Sequence, residues 1–257
     1  MRIVSIGAGN LATHLSKALQ SAGFDIVQVF SRTEASAKSL SNELNVPYTT
    51  EISCIVEDAS LYIIAVSDDA IEPLSDGLRL SNGLIVHCSG SVPMDSFSGK
   101  FENYGVFYPL QTFSKTRPLD FAEIPVFLEA NSSENLKILR SVAEKLSRKV
   151  YEASSEERKK LHLAAVFACN FVNHLYHLSS KIAQQAGFDF DILSTLIRET
   201  TDKAIFSGNP KCAQTGPAVR NDGNVLRKHM ELLSHRPELQ EIYSILSENI
   251  LRVKNEA

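Results

Sequence analysis

The stretch Ile3-Val4-Ser5-Ile6-Gly7-Ala8-Gly9-Asn10-Leu11-Ala12 decides the fold. Four residues of β-rich chain lead directly into Gly-x-Gly-x-x-Ala. A helical pattern follows, with Leu11, Leu15, Ala18, Leu19 and Ala22 on one face and Gly23 as its stop. Strand, glycine turn and helix in that order form the phosphate-binding fingerprint of dinucleotide sites. Gly7 permits a tight turn, Gly9 leaves the backbone open to a pyrophosphate, and Ala12 lets helix and strand pack closely. The first helical residues, Asn10 and Leu11, offer unpaired N–H groups and a positive dipole end to the anion. The competing reading is a glycine turn with no ligand.

Residues 26–30, 61–66 and 84–88 repeat the continuous apolar, Val- and Ile-rich run of a strand covered on both faces. Helical patterns separate them at 34–44 and 71–80, the latter requiring Pro73 to lie in its first turn. Further strands are expected at 106–108, 126–129 and 149–152, with a helix over 133–146. Strands alternating with helices predict βαβ units and a mostly parallel sheet. After Glu152 no strand pattern recurs. Ser154 and Glu157 form a capping box that opens a helix running to about Ala186, closed by Gly187. Helices over 190–206, 224–234 and 237–253 follow, with a Gly- and Pro-rich loop at 208–223. The expected fold is α/β: a dinucleotide-binding domain over 1–152, then a smaller all-α domain over 153–257.

Composition narrows the function. The chain has 257 residues, 44% hydrophobic and 22% charged, enough to bury a core without disulfides or metal. A net charge of −4 argues against a nucleic-acid partner. No apolar run reaches the ~18 residues of a membrane span, and the N-terminus lacks the features of a signal peptide. The expectation is a cytoplasmic protein. Cys54, Cys88, Cys169 and Cys212 form no CxxC pair and read as free buried thiols, with no metal site. Neither a GxSxG elbow nor an HExxH helix is present, which disfavours a hydrolase.

The second strand ends in Ser31-Arg32-Thr33. About 20 residues after the glycine loop, an NAD site carries a carboxylate for the ribose. Here two hydroxyls and a guanidinium stand instead, which suits the phosphate of NADP. The bland alternative is an exposed arginine in a surface loop. Ligands in such folds lie outside the carboxyl ends of the strands. There Val66, Ser67 and Ser89 are candidate cofactor contacts and Gln111 a candidate substrate contact. His87 is either an acid/base group or a satisfied core histidine. On the long helix, at about 100° per residue, His162, Asn170, Asn173 and His177 fall within roughly 80° of one another. The rest of 161–178 is apolar nearly all round, so the helix is expected to be buried. Its polar stripe is either a catalytic one, carried by His162, Asn170 and Asn173, or an interhelical or dimer seam. Arg220, in the long loop, either pairs with Asp222 or receives a substrate carboxylate.

The segments GAGNLA, SRT, AVSDDAI, HCSGS and YPLQTF resemble those of Rossmann-like NADP oxidoreductases with a helical C-terminal domain of unknown function. LHLAAVFACNFVNHLY and GPAVRND match that second domain. More distantly the architecture is similar to pyrroline-5-carboxylate reductase and to the 6-phosphogluconate and 3-hydroxyisobutyrate dehydrogenases. The resemblance implies NADP as cofactor and a homodimer through the helical domain. The hydroxyacid dehydrogenases place a Lys four residues before an Asn on the first helix of the second domain. Here Val166 precedes Asn170 and Asn170 precedes His174 at that spacing, so the lysine chemistry does not carry over. The leading expectation is hydride transfer between NADP(H) and a small carbonyl or imine compound. The alternative is a dinucleotide-binding sensor without turnover.

Overall fold

The computed structural model describes residues 1–256. Eight strands, β1 (Arg2–Ile6), β2 (Asp25–Phe30), β3 (Tyr48–Thr49), β4 (Leu61–Ile64), β5 (Leu84–His87), β6 (Tyr104–Pro109), β7 (Val126–Ala130) and β8 (Val150–Glu152), form one sheet. Their order is β3-β2-β1-β4-β5-β6-β7-β8. Every pairing is parallel except the antiparallel β6–β7 pair. The order reverses at the β1–β4 neighbours, which opens a crevice at the carboxyl ends of the strands.

The apolar runs are continuous because both faces of the sheet are covered. Ile3, Ile26, Leu61, Ile63, Leu84 and Val86 pack on one face with Leu15 and Leu19 of α1 (Asn10–Ser21), Leu40 of α2 (Glu34–Leu44) and Leu139 of α4 (Ser133–Leu146). Their neighbours Val4, Ile6, Tyr62, Ile64 and Ile85 point the other way, onto Ile71 and Leu74 of α3 (Asp68–Gly77) and onto Phe97. Ser5 is the one polar residue inside β1. Its Oγ accepts a 2.8 Å hydrogen bond from Ser16 of α1, so its burial leaves nothing unsatisfied.

Two local expectations differ from the structure. The two-residue β3 has no legible periodicity, and its place comes from pairing with β2. Helix α3 begins at Asp68, earlier than the apolar pattern indicates, because Asp68 and Asp69 favour the positive end of a helix. Pro73 therefore lies inside α3 and removes one helical donor there.

The chain divides into two compact units, Met1–His174 and Leu175–Ala257. The strands end at Glu152, yet the first unit runs on to His174 because α5 (Ser155–Ala165) is tied to the sheet side by buried polar contacts described below. Ser154 caps α5 with the expected box: its Oγ accepts from the Glu157 N–H, and the Glu157 carboxylate accepts from the Ser154 N–H. From Val166 to Phe171 the helix widens into a π-turn, then continues as α6 (Val172–Gln185). The second unit holds the rest of α6, α7 (Ser194–Phe206), the short α8 (Pro210–Ala213) and α9 (Pro217–Arg220), α10 (Gly223–Leu232) and α11 (Pro237–Asn255). Within it the His229 Nδ1 and Tyr243 hydroxyl lie 2.8 Å apart, and Gln240 donates to the Met230 carbonyl at 2.7 Å.

The helix over 161–178 is not buried in the single chain. Leu163, Phe167 and Phe171 are exposed, Phe167 to 63%. One chain supplies no layer over that face, although its composition asks for one. The thiol expectation changes too: Cys88 is buried, while Cys54, Cys169 and Cys212 are exposed. Among the described residues no helix is long and apolar enough to cross a membrane.

Candidate active site

The glycine loop is built from the backbone outward. Gly7 has φ +121°, and a Cβ there would lie 2.3 Å from the Ala65 carbonyl oxygen at the end of β4. Only glycine fits that turn. The Gly7 N–H donates to the Phe30 carbonyl at 2.8 Å, locking the loop to the end of β2. A Cβ on Gly9 would meet nothing within 4 Å, so this side of the loop is open. The Gly9 carbonyl is held by both the N–H and the hydroxyl of Thr13. Gly9 makes no side-chain cap, which leaves the first N–H groups of α1 for a ligand.

A groove of about 520 Å³ runs along this loop, lined by Gly7, Ala8, Gly9, Phe30, Ser31, Arg32, Ala65, Val66 and Ser67 among others. Six of the residues singled out from sequence, Gly7, Gly9, Ser31, Arg32, Val66 and Ser67, thus meet on one surface. Asn10 stands exposed at the first turn of α1, and Thr33 is exposed before α2. Ala12 and Leu11 pack into the core under the loop. The open face over Gly9, the uncapped helix end and a nearby guanidinium fit a dinucleotide: bare backbone for the pyrophosphate and positive charge for a further phosphate.

Farther along the same strand ends, two loops and a helix converge. The Tyr108 hydroxyl at the end of β6 lies 3.0 Å from Nδ1 of His162 on α5. Burial pushes the Tyr108 hydroxyl up to about 12, so it stays protonated at neutral pH. Gly90, after β5, touches the same imidazole: a Cβ there would come within 2.7 Å of its ring. His162 is half-buried, and among the described residues only its Nδ1 is engaged by a protein group. Nε2 is thereby left for a ligand.

Arg158 holds this arrangement. It is fully buried, four residues before His162. Its guanidinium donates to the Ser89 carbonyl (3.1 Å), the Val92 carbonyl (2.6 Å) and the Ser155 hydroxyl (3.2 Å), and pairs with Glu129 at 2.5 Å. Ser155 in turn donates to Glu129 and accepts from the Met94 N–H. The Ser89 hydroxyl accepts from the N–H groups of Ser91 and Val92, and the Ser91 hydroxyl donates to Asp68 at 2.7 Å. Nothing in the run Glu156-Glu157-Arg158-Lys159-Lys160 marks Arg158 as the buried charge, since its carboxylate partner lies 29 residues away and its carbonyl partners 66 and 69 residues away. Tyr108 lies in a quoted segment, but only the register of β6 turns it toward α5.

The remaining candidates lie elsewhere. His87 closes β5 at 0% exposure, edge-on to Phe97 at 5.4 Å between ring centres, with Nδ1 accepting from the Ser89 N–H at 3.2 Å. Burial first, and the Arg158 charge second, bring its pKa from 6.5 down to about 4. Gln111 is exposed, its amide oxygen accepting from Thr112. Asn170 lies in the π-turn and Asn173 just beyond it, both exposed. The wider turn acts like one extra residue and rotates everything after it by roughly 100° relative to His162. The even stripe drawn from uniform helical spacing is therefore broken between His162 and Asn173. Arg220 is exposed at the end of α9; Asp222 caps α10 through the Val225 N–H, and among the described residues the two form no ion pair.

Two family models match the chain. One, described as NADP oxidoreductase coenzyme F420-dependent, covers residues 2–89. The other, a domain of unknown function (DUF2520), covers residues 124–250. A provisionally assigned NADP oxidoreductase from Bacteroides fragilis is 47% identical, with TM-score 0.92 over 98% of both chains. A Thermotoga maritima protein is 24% identical, with TM-score 0.73 over 100% of this chain and 98% of its own. A 1-pyrroline-5-carboxylate reductase from Streptococcus pyogenes shares the fold at 14% identity, TM-score 0.64, covering 100% and 99%. No curated protein matches in sequence.

The lowered pKa of His87 makes stability depend on pH. Between pH 6.5 and about 4 the unfolded chain binds a proton at His87 that the folded chain refuses. Stability should therefore fall as pH drops through that window, by at most roughly 3 kcal/mol from this group, and be flat in it above. Urea unfolding across the window should show a shallower slope in His87→Gln. An identical slope in both proteins would assign the dependence to other groups.

Proposed function

The chain belongs to the family of NADP oxidoreductases that join a Rossmann dinucleotide domain to a DUF2520 domain, and from that membership we propose that it reduces a small carbonyl or imine compound with NADPH. The observation that carries the proposal is the Tyr108–His162 pair, held at the carboxyl ends of β5 and β6 in the same unit as the glycine loop. The nicotinamide, when bound, supplies the hydride. The chain must then supply a proton to the oxygen or nitrogen that becomes an anion. His162 offers Nε2 for this, and Tyr108 holds the imidazole through Nδ1. Gly90 lets the ring lie close to the loop. His87, neutral and enclosed, supports the Ser89 turn instead of exchanging protons with a ligand.

The cofactor is NADP in this reading. Ser31 replaces the acidic residue that would repel the extra phosphate, and exposed Arg32 can bind that phosphate bidentately. The assembly is a homodimer. Leu163, Phe167 and Phe171 in the first unit, and Ile192, Leu196, Ile205 and Phe206 in the second, are exposed, Phe206 to 96%. Apolar area on this scale is characteristic of an interaction surface. A C2 dimer would cover it with a second copy.

Titration with NADPH and NADH, then a screen of small carbonyl and imine compounds followed by NADPH absorbance, tests the function. NADPH binding with no turnover by any compound would favour a sensor. Arg32→Ala is expected to weaken NADPH about tenfold or more while leaving NADH nearly unchanged, one charge-assisted hydrogen bond being lost. Equal losses for both would remove Arg32 from the phosphate site. His162→Ala should lower kcat with NADPH affinity intact, and Tyr108→Phe should shift the pH profile of kcat. Unchanged kinetics in both folded variants would refute the proton-donor role. Light scattering should give twice the chain mass at micromolar concentration; a monomer would refute the dimer.

A further inference from the structure

We propose that Lys115 is a ligand of the dinucleotide pyrophosphate, brought to the glycine loop by the segment that follows β6. This assignment rests on the dinucleotide reading above and adds a residue to it from a distant part of the chain. The Lys115 Nζ donates a 2.8 Å hydrogen bond to the carbonyl of Ala8, which lies between Gly7 and Gly9 in the wall of the groove. The two residues are 107 apart in sequence, so the contact exists only because the segment folds back over α1. Three fastenings hold it there. The His14 ring nitrogen lies 2.9 Å from the Ser114 carbonyl, the His14 and Phe113 rings are 5.6 Å apart, and Phe113 leans on Phe121 at 6.4 Å.

The charge of this ammonium is not used by the fold. Among the described residues no carboxylate pairs with it. Glu43, whose carboxyl is held below the usual range chiefly by Lys17, feels Lys115 only as a weaker, more distant charge. An ammonium has three donors, and the Ala8 carbonyl takes one. Among the described residues no protein group takes the other two, and the loop that Lys115 grips is open one residue on, where nothing lies within 4 Å of the position a Cβ on Gly9 would take. A pyrophosphate on that backbone would find a cation already fixed at its edge. Arg32, also in the groove wall, is suited to the 2′-phosphate that separates NADP from NAD. The pyrophosphate is common to both dinucleotides, so Lys115 adds affinity without selecting between them.

The experiment measures dissociation constants of NADPH, NADH and adenosine 2′-monophosphate by calorimetry for the unmodified chain and for Lys115→Met, Lys115→Gln and Lys115→Arg. Lys115 is exposed, so the variants should fold, which thermal unfolding checks. Lys115→Met should weaken both dinucleotides by roughly tenfold and leave adenosine 2′-monophosphate, which has no pyrophosphate, unchanged. Lys115→Arg should restore most of the loss. Lys115→Gln keeps a donor for the Ala8 carbonyl but has no charge; it should bind as weakly as Lys115→Met, and the loss should shrink in high salt. Full affinity in Lys115→Gln would make Lys115 a staple of the loop and overturn the assignment, as would unaltered NADPH affinity in Lys115→Met. An unmodified chain that binds neither dinucleotide would overturn the functional reading and this assignment together.

Discussion

The buried ion pair between Arg158 and Glu129 is the constraint on which the site depends. A guanidinium out of water is tolerable only when its charge and its donors are answered. Here a carboxylate, two main-chain carbonyls and a serine hydroxyl answer them. Those partners come from β7, from the loop after β5 and from the start of α5. One side chain thus fixes three segments that are far apart in the sequence. Such a pair adds little net stability over an apolar filling, but removing one partner leaves a buried charge uncompensated. Its contribution is to geometry: with Arg158 fixed, His162 one turn later lies against Gly90 and Tyr108.

The sheet supplies what the clasp cannot. Parallel strands bring all their carboxyl ends to one edge, so the glycine loop after β1, the turn after β4 and the loop after β5 face the same crevice. The antiparallel β7 serves a separate purpose. It runs back beside β6 and presents Glu129 to α5, which a parallel strand in that position would have placed differently.

The helical part follows another economy. The second unit has few buried apolar residues, Ala218 and Leu239 among them, and a long roster of exposed ones. A unit with so little interior of its own is poorly suited to solitary life in water. The π-turn at Val166–Phe171 lies in the first unit, a few residues before its end at His174. π-turns are often found at functional sites, and this one carries Asn170.

The sequence by itself determined the α/β layout, because the period of apolar residues and the glycine fingerprint are local properties of the chain. The strand and helix positions other than that of β3, the capping box at Ser154 and the turn at Gly7 follow from residues within a few positions of each other. It also placed Gly7, Gly9, Ser31, Arg32, Val66 and Ser67 at strand ends, where the topology makes them one groove. What it left undetermined depends on contacts between distant residues. His87 looks like an acid–base group until β5 is placed against Phe97 and found sealed. Arg158 looks like one charge in a solvated run until the helix register turns it inward. Lys115 and Tyr108 gain their neighbours only when the β6 segment folds across α1 and α5. The π-turn shifts the phase of every residue after it, and uniform spacing cannot foresee one extra residue in a turn. Local pattern fixes which elements form; only packing decides which side chains meet, because that depends on distances the chain spans through space and not along its length.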